Sequence, residues 1–265
     1  MTAAPFAQTG RVALITGAGS PSGIGFQTAR MLGRLGAEVA LAATTERVYE
    51  RVTELRALGI TASGHVGDLT DPTAVAQVVT GCLDRHGRLH ALVNNAGMVS
   101  VTAPDMAGGD LETTGPDRWR ESLARNLDTA YLVTRACLPH LRAVGSGRIV
   151  FVASVTGAAM AMRGEVAYAA SKAALVGLAR AIAVDEGRHG LTSNAVAPGW
   201  IATASQTEDE AREGWTTPVG RSGTAAEVAA AIAFLTSLEA GYVTGQVLVV
   251  DGGNTIAEER ALRAT

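Results

Sequence analysis

Tyr168 and Lys172 are separated by four positions in the segment Tyr168-Ala-Ala-Ser-Lys172. In a helix this spacing places both side chains on one face, so the ammonium can lie near the phenol. A phenol titrates near pH 10 in water, and proton transfer around pH 7 requires the anion to be favoured by roughly 3–4 kcal/mol. A cation in a cleft shielded from water can supply much of that. The pair therefore predicts acid–base chemistry, with Tyr168 transferring the proton.

Lys172 is the only lysine in the chain, and every other residue in the Lys+Arg count of 22 is arginine. A compact ammonium can hold two ribose hydroxyls and shift the pKa of a neighbour, which distinguishes it from a planar guanidinium. The alternative is an ordinary aromatic residue and a surface lysine on an alanine-rich helix. The composition favours the catalytic interpretation.

The segment Thr16-Gly-Ala-Gly-Ser-Pro-Ser-Gly-Ile-Gly25 is a second chemical signal. Its glycines leave backbone N–H groups and the positive end of the following helix open to a pyrophosphate. The Gly-x-Gly-x-x-Gly spacing is not met, because Ser22 occupies the place of the third glycine. The segment predicts an anion site, and the alternative is a tight connection between a strand and a helix.

These residues need elements that position them, and the hydrophobic pattern alternates between strand and helix along the chain. Short apolar runs predict strands over residues 11–17, 38–43, 62–66, 91–94, 148–153, 192–197 and 247–250. Helical spacing predicts helices over residues 24–35, 46–58, 72–86, 117–144, 168–186 and 225–238. About seven strands alternating with helices predict an α/β fold: one doubly wound, Rossmann-type parallel sheet with helices on both faces. We expect a single domain over residues 1–265, with tails at 1–9 and 254–265.

Read together, the motifs resemble those of the short-chain dehydrogenase/reductase family over about residues 10–253. They are the glycine-rich loop, Asn94-Asn-Ala-Gly97, Arg125-Asn-Leu127, the segment 147–157 with Ser154, Tyr168-x-x-x-Lys172, and Pro198-Gly-Trp-Ile-Ala-Thr203. The usual loop of this family reads T-G-x-x-x-G-x-G, so this chain carries two extra residues around Ser20-Pro-Ser22.

The resemblance implies a catalytic set of Asn126, Ser154, Tyr168 and Lys172. Ser154 follows a central strand, where ligands bind in open α/β sheets, and can donate to a substrate oxygen; the alternative is a serine that caps the strand end. Asn126 resembles the helix asparagine that holds a water between lysine and solvent, and the alternative is a structural side chain. The chemistry implied is reversible hydride transfer between a nicotinamide cofactor and a carbonyl carbon.

The resemblance also implies a cofactor site that runs along the ends of several strands. Asp68 resembles the acid that contacts adenine, with the alternative that it caps a helix. The predicted cofactor-binding residues are Gly17, Ser22, Gly23, Ile24, Gly25, Thr44, Thr45, Asp68, Leu69, Asn95, Ala96, Gly97, Tyr168, Lys172, Pro198, Gly199, Ile201 and Thr203.

The end of the second strand decides which nicotinamide cofactor fits. An acid there would accept from the ribose hydroxyls and repel a 2′-phosphate, but this chain has Ala42-Ala-Thr-Thr-Glu-Arg47. Thr44 and Thr45 can donate to the phosphate, and Arg47 can reach it. These residues predict NADP(H) over NAD(H). Two observations oppose a preference for NADP(H). Ser22 occupies the position at which many NADP-preferring relatives have a basic residue, and the alternative role for Arg47 is that of a solvated helix side chain.

The substrate cleft is predicted from apolar residues beside the reaction centre and from the segment 204–217, which we name the lid segment. The candidates are Met98, Val155, Met160, Met162, Trp200 and Trp215. Their character predicts a ketone or secondary alcohol with a hydrophobic body. Two other functions stay open: a 3-oxoacyl thioester reductase, and a cofactor-sensing protein without chemistry.

Composition excludes several other classes. The 265 residues are 47% hydrophobic and 18% charged, with 22 Lys+Arg against 25 Asp+Glu, which gives no electrostatic footprint for nucleic acid or an anionic membrane. Two cysteines without C-x-x-C spacing indicate a reducing compartment, and no metal motif joins the scattered histidines. We expect a cytoplasmic protein, and the family resemblance implies a homotetramer.

Overall fold

A seven-stranded parallel sheet forms the centre of the computed structural model, which describes residues 4–97 and 108–258. Its strands are β1 (Val12–Thr16), β2 (Glu38–Ala43), β3 (Ala62–Val66), β4 (Ala91–Asn94), β5 (Arg148–Val152), β6 (Thr192–Pro198) and β9 (Val247–Val250). The order is β3-β2-β1-β4-β5-β6-β9. The chain therefore changes direction across the sheet between β1 and β4, and the carboxyl ends of these two strands are the position at which open α/β sheets bind ligands. The predicted fold class is confirmed.

Helices cover both faces of the sheet. They are α1 (Ile24–Arg34), α2 (Arg47–Ala57), α3 (Pro72–His86), α4 (Pro116–Leu123), α5 (Thr129–Ala143), α6 (Val155–Ala158), α7 (Val166–Glu186), α8 (Glu208–Trp215) and α9 (Ala225–Thr236). Helices α1, α2 and α9 bury one apolar cluster against the sheet, and α3, α5 and α7 bury a second one on the other face. Both clusters are almost wholly aliphatic, which matches the low aromatic content of the chain.

The helix predicted over residues 117–144 is interrupted. A π-helical segment at Ala124–Asp128 separates α4 from α5. Within it, the Asn126 amide donates to the carbonyl of Ser122 at 3.0 Å, and the Thr129 hydroxyl donates to the carbonyl of Arg125 at 2.9 Å. These side chains compete with the backbone for helix carbonyls, which favours a local widening of the helix.

Residues after β6 form elements that the hydrophobic pattern did not predict. The two-residue strands β7 (Ile201–Ala202) and β8 (Gly223–Thr224) pair with each other, and α8 lies between them. The carboxylates at positions 208–210, which we interpret from the sequence as a solvated turn, instead form the first turn of α8. Thr207 and Glu210 close a capping box there, so the acids face the positive end of the helix.

Some residues of the predicted N-terminal tail, 1–9, pack against the rest of the protein. The backbone N–H of Gln8 donates to the carbonyl of Leu35 at 2.8 Å, and this residue is 2% exposed. Phe6 packs edge-on against Phe234 of α9 with ring centroids 6.1 Å apart. Asn254, placed in the other tail, is also buried. These residues therefore belong to the packed body of the protein.

Helix α7 continues into a 3-10 turn, and in the part of the chain that the structure covers, Val166–His189 is long and apolar enough to cross a membrane by length and composition. Its buried face packs instead on the sheet, with Leu175, Val176 and Ala179 in the second apolar cluster. Such a helix is typical of the core of an α/β sheet.

Candidate active site

The predicted pair Tyr168 and Lys172 lies at the start of α7, beside the carboxyl ends of β4 and β5. The Nζ atom of Lys172 is 5.6 Å from the centroid of the Tyr168 ring. It donates to the carbonyl of Val152 at 3.0 Å and to the carbonyl of Gly97 at 3.4 Å. The ammonium therefore connects the ends of two strands while it faces the aromatic ring.

The pKa of Tyr168 differs from the expected direction. Burial raises it above its ordinary value, a hydrogen bond with Ser154 opposes the rise, and the charges of Glu165 and Glu210 add to it. The expected lowering by Lys172 is wrong for this structure, because Nζ lies over the ring and donates to backbone carbonyls rather than to the phenol oxygen. The phenol is consequently protonated at neutral pH.

Lys172 is itself strongly affected by its surroundings. The residue is 2% exposed, and burial lowers the pKa of its ammonium to about 8. The sequence missed this effect because burial of a lysine is not visible in its spacing from a tyrosine. An ammonium with a pKa near 8 can both hold and release a proton under ordinary conditions.

Asn126 lies beside the same strand end, in the π-helical segment. An added Cβ on Gly97 would approach the Asn126 Oδ1 atom to 3.1 Å, so the asparagine and the Gly97 carbonyl that binds Lys172 are neighbours. The Oδ1 atom is buried and has no hydrogen-bond partner among the described residues. A buried amide oxygen without a partner is costly, which favours a bound water or ligand at this position.

Ser154 follows β5 and is the N-cap of the short turn α6. Its hydroxyl oxygen accepts a hydrogen bond from the backbone N–H of Thr156 at 3.1 Å, and it also hydrogen-bonds with the Tyr168 hydroxyl. Ser154 therefore caps the N-terminus of α6 and is also in contact with Tyr168. Ser154, Tyr168 and Lys172 meet at one place.

The glycine-rich segment leads into an open helix terminus. Gly23 is the N-cap of α1, and the first turn has no side-chain cap and no acidic residue. The free N–H groups and the positive end of the helix therefore point at a place that suits an anion. This observation fits the pyrophosphate of a dinucleotide.

The loop is held against the segment 94–97 by Asn95. The Asn95 amide donates to the carbonyls of Thr16 and Gly17, each at 3.0 Å. A Cβ on Gly17 would lie 2.8 Å from the Ala96 Cα, and a Cβ on Gly25 would lie 2.6 Å from the Asn95 amide nitrogen. Both glycines are therefore needed for this approach of two loops, and the Asn95 side chain holds the loop in place.

The remaining predicted cofactor residues lie along the same edge of the sheet. Thr44 and Thr45 are exposed after β2, and Arg47 Nε donates to the Thr45 hydroxyl at 3.4 Å. Asp68 is also exposed and accepts from the backbone and hydroxyl of Thr70. The alternative that Asp68 caps α3 is wrong, because Asp71 is the N-cap. Leu69 is buried in the apolar cluster under α3.

The Pro198 to Thr203 segment joins β6 to the lid segment. The Gly199 N–H donates to the carbonyl of Val250 at 3.0 Å, and a Cβ at this glycine would lie 2.7 Å from the Asp251 Cβ. The Thr203 hydroxyl lies 3.0 Å from the Ser205 hydroxyl. Gly199 is therefore required by the approach of the following strand.

The predicted cleft residues are only partly brought together. Val155 and Met160 share one turn, since the Met160 N–H donates to the Val155 carbonyl at 2.9 Å. Trp200 is half-buried, and its indole nitrogen has no partner among the described residues. Met162 and Trp215 are exposed. Met98 lies outside the described residues.

Sequence reasoning missed two acidic groups and one apolar hollow near the start of α7. Glu165 and Glu210 act electrostatically on Tyr168, and burial raises the pKa of Glu165. The position of Glu165 three residues before Tyr168 was the available signal. The hollow has a volume of about 370 Å³ and lies between α4 and the start of α7. It is lined by Leu111, Thr114, Pro116, Trp119 and Val166.

The Rossmann-type sheet, the open anion site at its switch point and the serine–tyrosine–lysine cluster define a dehydrogenase/reductase that uses a nicotinamide dinucleotide. The family model described as enoyl-(acyl carrier protein) reductase matches residues 17–255. The chain belongs to the short-chain dehydrogenase/reductase family, whose members act on small molecules with NAD(P).

Individual relatives agree with this assignment. The chain is 37% identical to oxidoreductase UcpA of Escherichia coli K12, over 94% of this chain and 96% of the relative. It is 35% identical to the 3-oxoacyl-[acyl-carrier-protein] reductase FabG of the same organism, over 92% and 97%. A solved structure of a gluconate 5-dehydrogenase from Beutenbergia cavernae, described as putative NAD(P)-dependent and containing NADP, has a TM-score of 0.86 and 38% identity, covering 96% of this chain and 100% of that chain.

Proposed function

We propose that this protein transfers a hydride reversibly between NADP(H) and a ketone or secondary alcohol with a hydrophobic body. The observation that carries the proposal is the meeting of Ser154, Tyr168 and Lys172 beside an open helix N-terminus at the switch point of the sheet. Hydroxyl, phenol and ammonium groups in this order can bind a carbonyl oxygen and deliver a proton to it.

In reduction, Ser154 donates a hydrogen bond to the substrate oxygen as negative charge develops there. Tyr168 gives its proton to that oxygen as the general acid. Lys172 and a water held by Asn126 resupply the proton. The backbone at Gly17 and Gly23 to Gly25 would hold the pyrophosphate of a bound dinucleotide, which would supply the hydride. In oxidation, these proton transfers run in reverse.

The preference for NADP(H) rests on the exposed end of β2. Thr44, Thr45 and Arg47 offer donors there, without an acid at the strand end. The Beutenbergia structure contains NADP, whereas a 7α-hydroxysteroid dehydrogenase structure with 28% identity and a TM-score of 0.85, covering 97% of this chain and 98% of that chain, contains NADH. We expect a higher kcat/KM with NADPH than with NADH, and equal or better use of NADH would defeat this preference.

A 3-oxoacyl thioester reductase is the second candidate function, favoured by the 35% identity to FabG. The two candidates differ in the substrate that carries the carbonyl. Rates with a panel of simple ketones and with an acetoacetyl thioester, each with both cofactors, separate them. Higher kcat/KM on the thioester would promote the second candidate.

We further propose a cytoplasmic homotetramer that uses the long helices α5 and α7. Exposed apolar side chains on these helices support an interface, since Tyr131 is 48% exposed and Val184 is 82% exposed. Light scattering of the purified protein measures the number of subunits. A monomer in solution would contradict the assembly.

The experiment that tests the mechanism is Tyr168→Phe, with Tyr49→Phe on the exposed face of α2 as the matched control. We expect Tyr168→Phe to lower kcat by at least about a hundredfold, because general acid catalysis is typically worth that much. Cofactor affinity, measured by calorimetric titration, should stay within about twofold since the ring remains. Tyr49→Phe should retain the wild-type rate. A Tyr168→Phe enzyme with a tenth of the wild-type rate would refute the proposed role.

A further inference from the structure

The extra length of the glycine-rich loop brings it into contact with the lid segment. The Ser22 hydroxyl oxygen accepts a hydrogen bond from the backbone N–H of Ala204 at 2.9 Å. Ala204 is the first residue of the lid segment and directly follows Thr203. A loop with the usual family length would lack the two residues around Ser20-Pro-Ser22 that make this approach.

The hydroxyl of Ser22 has further bonding capacity. A serine hydroxyl has one O–H donor and two acceptor lone pairs, and the contact with Ala204 uses only an acceptor. Ser22 directly precedes Gly23, the N-cap of α1, whose terminus has no side-chain cap. The Ser22 proton is therefore next to the place where a phosphate oxygen would be bound.

The lid segment contacts two parts of the protein. The Gln206 side chain donates to the Ser222 hydroxyl at 2.8 Å, and the Thr217 hydroxyl donates to the carbonyl of Arg221 at 3.2 Å, so both contacts are with the loop that follows the lid segment. The contact of Ala204 is different, because Ser22 belongs to the cofactor loop. A change at the phosphate site therefore has a direct route to the first residue of the lid segment through the Ser22 hydroxyl.

We infer that Ser22 is a positioning residue that couples pyrophosphate binding to the order of the lid segment. Its O–H donates to a pyrophosphate oxygen while its Oγ accepts the Ala204 N–H, and each hydrogen bond polarises the hydroxyl so that the other becomes stronger. The inference rests on the proposed use of this loop for a dinucleotide. It adds that the pyrophosphate alone, without the nicotinamide, is sufficient to order the lid segment.

Limited trypsin digestion of the full chain tests the coupling. Arg212 lies in α8 with an exposed side chain, and cleavage after it is quantified by mass spectrometry. NADPH and ADP-ribose are added at saturating concentrations, since ADP-ribose has the pyrophosphate but lacks the nicotinamide. We expect both to slow cleavage of the wild-type protein, by about fivefold if one hydrogen bond of ordinary strength is gained.

Three variants sharpen this experiment. Ser22→Ala should lose the protection by both ligands while calorimetry still detects their binding, and Ser22→Thr, which retains a hydroxyl, should restore it. Ser20→Ala is the matched control in the same loop, because its side chain lies against Gly23, and it should be protected like the wild type. Thermal melts check that each variant is folded.

The outcomes separate the inference from the proposed function. Full protection of Ser22→Ala would overturn the coupling, and so would protection of the wild type by NADPH but not by ADP-ribose, because the nicotinamide would then order the lid segment. Failure of the wild-type protein to bind either NADPH or NADH would refute the proposed function and the inference together.

Discussion

Two buried cations lie at opposite ends of the central strand β5. Arg148 is its first residue and is 4% exposed, whereas Lys172, 2% exposed, donates to the carbonyl of the last residue, Val152. The Arg148 guanidinium donates to the carbonyls of Ser237 at 2.9 Å and Gly190 at 3.4 Å. It therefore connects loops that come from distant parts of the chain.

The environments of the two cations suit different roles, a structural role for Arg148 and a chemical role for Lys172. A guanidinium carries five donors in a fixed plane and keeps its charge, so it suits a site where several carbonyls must be satisfied. The ammonium of Lys172 has three donors and a pKa that burial lowers to about 8. Beside it, the Oδ1 atom of Asn126 has no partner among the described residues. The guanidinium at the amino end of β5 binds internal carbonyls, while the ammonium at the carboxyl end lies beside an amide oxygen that has capacity for a ligand.

The largest expected effect is on catalysis at Lys172. Lys172→Met should lower kcat by at least about a hundredfold, since proton transfer through Tyr168 loses its supply. Stability should change little, because removal of a buried charge is offset by the loss of the donor to the carbonyls of Val152 and Gly97. Rates with the best ketone and urea denaturation measure both properties. Lys172→Arg serves as the control for charge and should not restore the rate.

Arg148→Met should have the opposite effect to Lys172→Met: the protein should lose stability and keep its kcat. The substitution removes the guanidinium donor from the carbonyls of Ser237 and Gly190, and we expect a loss of about 3 kcal/mol in the free energy of unfolding, since each buried unpaired group costs about 1–3 kcal/mol. The kcat of the folded enzyme should change by less than about twofold because the site lies at the other end of β5. The exposed Arg135→Met is the matched control. A stable but inactive Arg148→Met protein would contradict the division of roles between the two ends.

The pH dependence of stability sharpens the same comparison. The pKa of Lys172 is about 8 in the folded protein, below the ordinary value of 10.5, so between these values the unfolded chain binds more protons. The contribution of Lys172 to stability therefore rises with pH across this window, by at most about 1.4 kcal/mol per pH unit. Urea denaturation from pH 7.5 to 10 should show the wild type gaining stability relative to Lys172→Met. A constant difference between the two proteins would contradict the lowered pKa.

The sequence predicted the sheet and its seven strands because buried parallel strands are short apolar runs with clear boundaries. It also predicted that Ser154, Tyr168 and Lys172 lie together, since the end of β5 and the start of α7 meet at one edge of the sheet. The π-helical segment around Asn126 was not predicted. Its apolar spacing is that of an ordinary helix, and it is distinguished by backbone hydrogen bonds such as the one from the Thr129 N–H to the carbonyl of Ala124, five residues earlier.

Other features depend on contacts between residues that are far apart in the chain. The direction of the pKa of Tyr168 follows from burial by several elements, which no local pattern encodes. The contact between Ser22 and Ala204 joins residues 182 positions apart. Motif spacing therefore identified the groups that do chemistry, while their protonation and coupling required the folded chain.

The smallest expected effect concerns a cluster of hydrogen-bonded side chains at the amino end of the sheet, formed by Glu38, Ser63, His65 and His86. The Ser63 hydroxyl lies 2.9 Å from Nε2 of both His65 and His86, and the Nδ1 atom of His86 lies 2.8 Å from the Glu38 carboxylate. Ser63 is buried between two imidazoles. The hydrogen bonds of this cluster are therefore internal to the protein, like those of Arg148.

Glu38→Gln should lower the free energy of unfolding by only about 0.5–1 kcal/mol, because the carboxylate is partly exposed and the amide can still accept from His86. Thermal melts near pH 6.5 and 8.5 measure the loss, with the exposed Glu112→Gln as the control. The kcat should be unchanged, since this cluster of side chains lies at the opposite end of the sheet from Tyr168. A tenfold fall in kcat with normal stability would show that the amino end of the sheet also contributes to the chemistry. The division between a structural amino end, as at Arg148, and a catalytic carboxyl end, as at Lys172, would then not apply to the whole sheet.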